Sequence, residues 1–174
     1  RRLRLILVPR HPERFDAVAK LLDVSGVTWQ RRSELANQPP APPEVTPRVL
    51  LVDTIGELGA WWGTAHIAFV GGSFGDRGGQ NMIEPAAYGA AVSYGPNTRN
   101  FRDIVAALEA ADAAITVHTA EELETFVARC LTDPPYAAAL GEQAQQLVRS
   151  QLGATALTVA PINSLIPPGA RQAS

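Results

Sequence analysis

The chain has 174 residues, a hydrophobic fraction of 46% and a formal net charge of −2. That length fits one domain, with or without a tail, and the near-neutral charge argues against broad binding to nucleic acid or an anionic membrane surface. A single cysteine, Cys130, excludes a disulfide framework and a multi-cysteine zinc site, and no run reaches the roughly 18 apolar residues of a membrane span.

In chain order, Arg1-Arg2-Leu3-Arg4 leads at once into a strand, Leu3 to Val8. With no initiator Met and no signal peptide, the expectation is that the sequence starts inside a longer protein. A loop, Pro9 to Arg14, follows. Phe15 to Asp23 is an amphipathic helix with Phe15, Val18, Ala19 and Leu22 on one face. Gly26 stops it, and Val27 to Gln30 is a short strand. Ser33 to Arg48 contains five prolines and little that packs, so residues 33–48 are expected to form a surface loop of mobile or polyproline type.

Val49 to Val52 is a continuous apolar strand, of the kind buried on both faces. Asp53 to Leu58 follows its end, then a helix from Glu57 to Gly63. His66 to Val70 is the next strand, leading into Gly71-Gly72-Ser73-Phe74-Gly75-Asp76-Arg77-Gly78-Gly79 and a helix expected to begin near Asn81. Ala90 to Tyr94 and Ala113 to Val117 are strands. Helices are expected at Phe101–Ala110, Glu121–Leu131, Pro134–Leu152 and Ala154–Leu165, before a frayed tail at 166–174. The repeated strand–helix alternation predicts an α/β fold: a Rossmann-like parallel sheet of about six strands with helices on both faces. In such sheets ligands bind outside the C-terminal strand ends. Four polar loops belong there: those at Arg10, at Thr54 to Glu57, at Ser73 to Glu84 and at Asn97 to Asn100.

The glycine loop is neither a dinucleotide fingerprint nor a P-loop. Gly71 and Gly72 are followed two residues on by Ser73 and Phe74, and no Gly-Lys-Ser/Thr closes the loop. Two uses remain open: tight packing, or backbone N–H groups and a helix start offered to a phosphate. Glu84 suits either a capping box or the paired hydroxyls of a ribose. Arg10 suits bidentate anion binding or plain solvation. Asp53 and Glu57 resemble a hydrolytic acid pair, but the spacing of Thr54 and Glu57 favours a capping box. His66 and His118 are isolated, so a metal role is not expected. Trp61 and Trp62 suit packing, and Cys130 suits a small buried hydrophobe.

Four segments, in this order and spacing, resemble a known family: Val8-Pro9-Arg10-His11-Pro12-Glu13-Arg14-Phe15; Asp53-Thr54-Ile55-Gly56-Glu57-Leu58; Gly71-Gly72-Ser73 with Arg77-Gly78-Gly79-Gln80-Asn81-Met82-Ile83-Glu84-Pro85-Ala86-Ala87; and Gly95-Pro96-Asn97-Thr98-Arg99-Asn100-Phe101. The resemblance is to the C-terminal half of the 3-deoxy-D-manno-octulosonic acid (Kdo) transferases of lipopolysaccharide synthesis. It spans residues 3 to about 160. It implies a GT-B glycosyltransferase whose C-terminal domain, here residues 1–165, binds the donor CMP-Kdo. The acceptor, a lipid A precursor at the cytoplasmic face of the inner membrane, would be held by an N-terminal domain outside this chain. So would the catalytic acid and any membrane anchor, which leaves no catalytic residue here. The implied CMP contacts are Pro9, Arg10, Ile55, Gly56, Glu57, Asn81, Met82, Ile83 and Glu84, with Gly72, Ser73 and Gly79 as further candidates in the glycine loop. No metal and no cofactor is implied. Ile55 stands where the family usually has Met, Gln80 where His is common and Met82 where Pro is common. A UDP-sugar GT-B transferase or epimerase, and a non-catalytic sugar-nucleotide-binding module, remain as alternatives.

Overall fold

The computed structural model describes residues 3–37 and 47–151. The chain divides between Ala65 and His66 into two compact units, each built on its own parallel ladder.

The first unit contains β1 (Leu5–Leu7), α1 (Phe15–Val24), β2 (Trp29–Arg31), β3 (Val49–Leu51) and α2 (Leu58–Trp62). Its strand order is β1-β3-β2, with Leu5 and Trp29 both opposite Val49. The most apolar strand therefore takes the centre, and Leu51 and the following Val52 are completely buried. The stripe expected on α1 lands where its spacing puts it: Ala19 and Leu22 are buried against Val49 and Leu51, with Leu7, Val18 and Trp29 around them. Each such leucine contributes about 1.5–3 kcal/mol of burial.

The second unit contains β4 (Ile67–Val70), α3 (Ile83–Ala87), β5 (Ala91–Tyr94), α4 (Arg102–Ala110), β6 (Ala114–Thr116), α5 (Ala120–Thr132) and α6 (Pro134–Gln151). Its order is β4-β5-β6. All four residues of β5 are buried, so both faces of the central strand are covered. The Ser93 hydroxyl, buried there, donates to the Ala68 carbonyl at 3.1 Å. Ala91, Val117, Phe126, Cys130 and Leu140 form the core beneath α5 and α6. Cys130 is thus the small buried hydrophobe expected, its thiol pKa raised chiefly by burial.

Helix α3 lies directly on α6. A Cβ placed on Gly141 would meet the backbone of Gly89 and Ala90 inside van der Waals contact, and Gln145 Nε2 donates to the Ala87 carbonyl at 2.9 Å. The short helix that carries Glu84 is seated by this backbone-to-backbone approach rather than by its own length.

The six strands are present and parallel, hydrogen-bonded as two sets of three. Three local expectations are corrected. Helix α3 begins at Ile83, with Met82 rather than Asn81 at its N-cap and no capping side chain there. Helix α2 begins at Leu58, so Glu57 is itself the N-cap and Thr54 lies outside the helix. The capping box proposed for Thr54 and Glu57 is therefore absent. Finally, Arg32–Asn37 is a 3-10 helix rather than the start of a free loop, because Ser33 is hydrogen-bonded to Asp53. Residues 38–46, the helix expected at 154–165 and the tail at 166–174 lie outside the described residues.

Candidate functional site

Within each unit the strands are parallel, so the loops that follow them leave from one edge of that sheet. In the first unit these are Val8 to Arg14 after β1 and Val52 to Glu57 after β3. Pro9 is half-buried and Arg10 exposed. The Arg10 guanidinium has no ion pair among the described residues. The neighbouring His11 approaches Glu13 at 3.8 Å.

The loop after β3 is held by its own acids. Asp53, its side chain 6% exposed, accepts from Arg31 Nη1 at 3.3 Å. It also accepts from the Ser33 N–H at 2.9 Å and the Ser33 hydroxyl at 2.7 Å. Burial pushes the Asp53 carboxyl up, but the Ser33 hydroxyl, the Ser33 N–H and Arg31 more than reverse that, and its pKa lies below the ordinary 3.8. Arg31 also reaches Asp16 on α1 at 2.8 Å, so it ties α1 to the end of β3. Glu57 Oε2 accepts from Arg32 Nε at 3.0 Å and from Trp61 Nε1 at 3.2 Å. Neither acid stands beside the other as a hydrolytic pair; each has a separate structural partner. Ile55 and Gly56 form the exposed tip, Ile55 at 68% exposure and Gly56 at φ +87. That φ favours glycine.

In the second unit the loop after β4, Gly71 to Met82, is held by the loop after β5. Five carbonyls of the first loop accept hydrogen bonds from the second. Ser73 C=O accepts from the Asn97 N–H at 2.9 Å, and Gly75 C=O from Asn97 Nδ2 at 2.6 Å. Asp76 C=O accepts from Arg99 Nη2 at 2.5 Å, and Arg77 C=O from Asn100 Nδ2 at 2.9 Å. Gly78 C=O accepts from the Asn100 N–H at 3.1 Å. A trans peptide points its C=O and the next N–H in opposite directions. Turning these carbonyls toward residues 97–100 therefore turns the N–H groups of Phe74, Asp76, Arg77, Gly78 and Gly79 away from them. Gly79 N–H closes the loop onto Gly72 C=O at 3.0 Å. The other four donate to no acceptor among the described residues. Successive free N–H groups on a turn suit an anion.

Positive φ is needed at Gly72, Gly78 and Gly79, and Gly78 is also packed: a Cβ there would stand 2.7 Å from Arg99 Cγ and from Asn100 Nδ2. Both uses left open for the glycines, packing and N–H display, thus occur in one loop. Ser73 is fully buried; its hydroxyl donates to Val70 C=O at 2.7 Å and accepts from Gly95 N–H at 2.8 Å. Met82 is likewise fully buried. The side chains of these two candidates are occupied in packing.

Asn81 and Glu84 complete the stretch. Asn81 Oδ1 accepts from the Ile83 N–H at 3.0 Å, and its Nδ2 donates to Glu84 Oε1 at 3.0 Å. Glu84 therefore makes no capping-box bond to the backbone. Asn81 fixes one carboxylate oxygen, while Oε2 has no partner among the described residues. A half-buried carboxylate with one oxygen anchored and one open can accept from the adjacent hydroxyls of a ribose. Ile83, 40% exposed, lies beside it. No group of three or more His, Cys, Asp or Glu residues that could hold a metal ion occurs among the described residues.

Sequence reasoning placed Asn97 to Asn100 at the strand ends but gave them no task; their role as the clamp emerges only from the fold. It also missed Arg31 and Arg32. Each meets an acid more than twenty residues away, and no local spacing marks such a pair.

Parallel α/β units with free N–H groups on a strand-end loop define the class first: a fold of the kind that binds anionic ligands outside its strand ends. No family model matches the chain. It is 38% identical over 155 residues to a 3-deoxy-D-manno-octulosonic acid transferase of Bordetella pertussis, covering 89% of this chain and 35% of that protein. It is 38% identical over 155 residues to the corresponding transferase of Haemophilus influenzae, covering 87% and 35%. Among solved structures it is similar to the C-terminal CMP-Kdo binding domain of WaaA from Acinetobacter baumannii, with a TM-score of 0.74 and 32% identity. That match covers 82% of this chain and 72% of that one. The chain belongs to the 3-deoxy-D-manno-octulosonic acid transferase family. It spans about a third of the length of the curated relatives it matches, 35% in both cases.

Proposed function

We propose that this chain is the donor-nucleotide-binding domain of a glycosyltransferase that moves Kdo from CMP-Kdo to a lipid A precursor and releases CMP. The observation that carries the reading is the likeness, at 32% identity, to a domain described as CMP-Kdo binding. The geometry supports it in chemical terms. Glu84 keeps one carboxylate oxygen open for ribose hydroxyls. The N–H groups of Phe74, Asp76, Arg77 and Gly78 suit the phosphate. An acid in an acceptor domain outside this chain acts as general base on the acceptor hydroxyl, and the whole enzyme works at the cytoplasmic face of the bacterial inner membrane. No helix among the described residues is long and apolar enough to cross a membrane. No metal is assigned a step.

The test is calorimetric titration of the 174-residue chain with CMP, with UDP as competitor. The expected result is CMP binding in the millimolar range or tighter, with UDP binding more weakly. A folded chain that ignores millimolar CMP sinks the reading, and a preference for UDP moves it to a UDP-sugar enzyme.

A further inference from the structure

Arg77 is the only cation between Gly71 and Glu84. A Cβ on Gly72 would stand 3.8 Å from the Arg77 Cβ, so the side chain starts over the C-terminal end of β4, where ligands of parallel sheets bind. Its backbone is fixed on both sides. The carbonyls of Asp76, Arg77 and Gly78 all accept from Arg99 or Asn100. Its guanidinium, in contrast, is exposed and makes no ion pair or hydrogen bond among the described residues. A clamped backbone thus presents an unpaired cation at the ligand edge of the second unit.

We propose that Arg77 binds the carboxylate of the acidic sugar carried on the donor nucleotide, an assignment that rests on the donor-binding reading above. A nucleotide-activated octulosonic acid carries two anions, a phosphodiester and a sugar carboxylate. They call for different partners. The phosphate is matched by N–H groups converging on a turn. The planar carboxylate is matched by the planar fork of a guanidinium, which bonds both oxygens at once. Free CMP lacks the carboxylate, so Arg77 discriminates the loaded donor from the spent nucleotide.

The experiment titrates the 174-residue chain and its Arg77→Gln and Arg77→Lys variants with CMP and with CMP-Kdo. Circular dichroism confirms that each variant is folded. Arg77→Gln is expected to weaken CMP-Kdo by about tenfold, the size of one bidentate charge-assisted contact, and CMP by a clearly smaller factor, since the variant keeps the backbone N–H that suits the phosphate. Arg77→Lys falls between, because an ammonium keeps the charge without the fork. An equal loss for both ligands overturns the proposal, since Arg77 then serves the phosphate or the shape of the loop. Unchanged CMP-Kdo affinity overturns it as well. Wild type that fails to bind CMP sinks the donor-binding reading and this proposal together, whereas loss of the carboxylate effect alone leaves that reading standing.

Discussion

Of the loops that leave strand ends, the one after β3 in the first unit and the one after β4 in the second are held by opposite means. The loop after β3 is held by charge: Asp53 and Glu57 accept from Arg31, Ser33, Arg32 and Trp61. The loop after β4 is held through its neutral backbone carbonyls, which accept from Asn97, Arg99 and Asn100. The consequence is a difference in what each loop has left. Where acids do the holding, their charge is met by an arginine, Asp53 by Arg31 and Glu57 Oε2 by Arg32, while Glu57 Oε1 has no partner among the described residues. Where carbonyls do the holding, the N–H groups face outward and Glu84 retains an open oxygen. Two glutamates in similar settings, Glu57 and Glu84, each keep one oxygen without a partner among the described residues, but Glu57 is paired with a cation and Glu84 with a neutral amide.

The comparison breaks first at Asp53. Replacing Asp53 with Asn removes a nearly buried carboxylate that accepts charge-assisted bonds, and is expected to cost about 2 kcal/mol. The pH dependence follows from the lowered pKa. A carboxyl whose folded value lies below 3.8 stabilises the fold above that pH, and the contribution is lost as pH falls through the folded value. Urea unfolding of wild type and Asp53→Asn at neutral pH and in acid checks this: the gap is full at neutral pH and closes below 3.8. A gap that persists in acid means that shape rather than charge holds the loop. The neutral clamp carries no such acid signature. Its smaller break is Ser73→Ala, which leaves the buried Val70 carbonyl and Gly95 N–H unpaired and is expected to cost about 1–2 kcal/mol, independent of pH. The same unfolding series measures it.

How much of this was legible beforehand depends on the range of each interaction. Val49 to Val52 and the stripe on α1 were legible, because continuous apolar runs and 3.6-residue spacing are local signals. The loops at the strand ends were legible as candidates for the same reason. The capping box at Thr54 and Glu57 was misread: its spacing is correct, but Glu57 is drawn to Arg32 and the helix begins one residue later. Asn81 was misplaced by two residues, since its side chain turns onto the Ile83 N–H instead of starting the helix at itself. The arginine latches and the amide clamp were illegible because they join residues about 15 to 25 positions apart, and only the parallel fold brings those together.

The central claim is that Glu84, anchored by the neutral amide of Asn81 where Glu57 is paired with Arg32, offers its open oxygen to the nucleotide's ribose. The most direct test titrates wild type and Glu84→Ala with CMP and with its 2′,3′-dideoxy analogue, which lacks both hydroxyls. The account predicts that wild type prefers CMP by about tenfold and that Glu84→Ala, still folded, shows no preference. Wild type that binds both ligands equally, or a variant that keeps the preference, would contradict it.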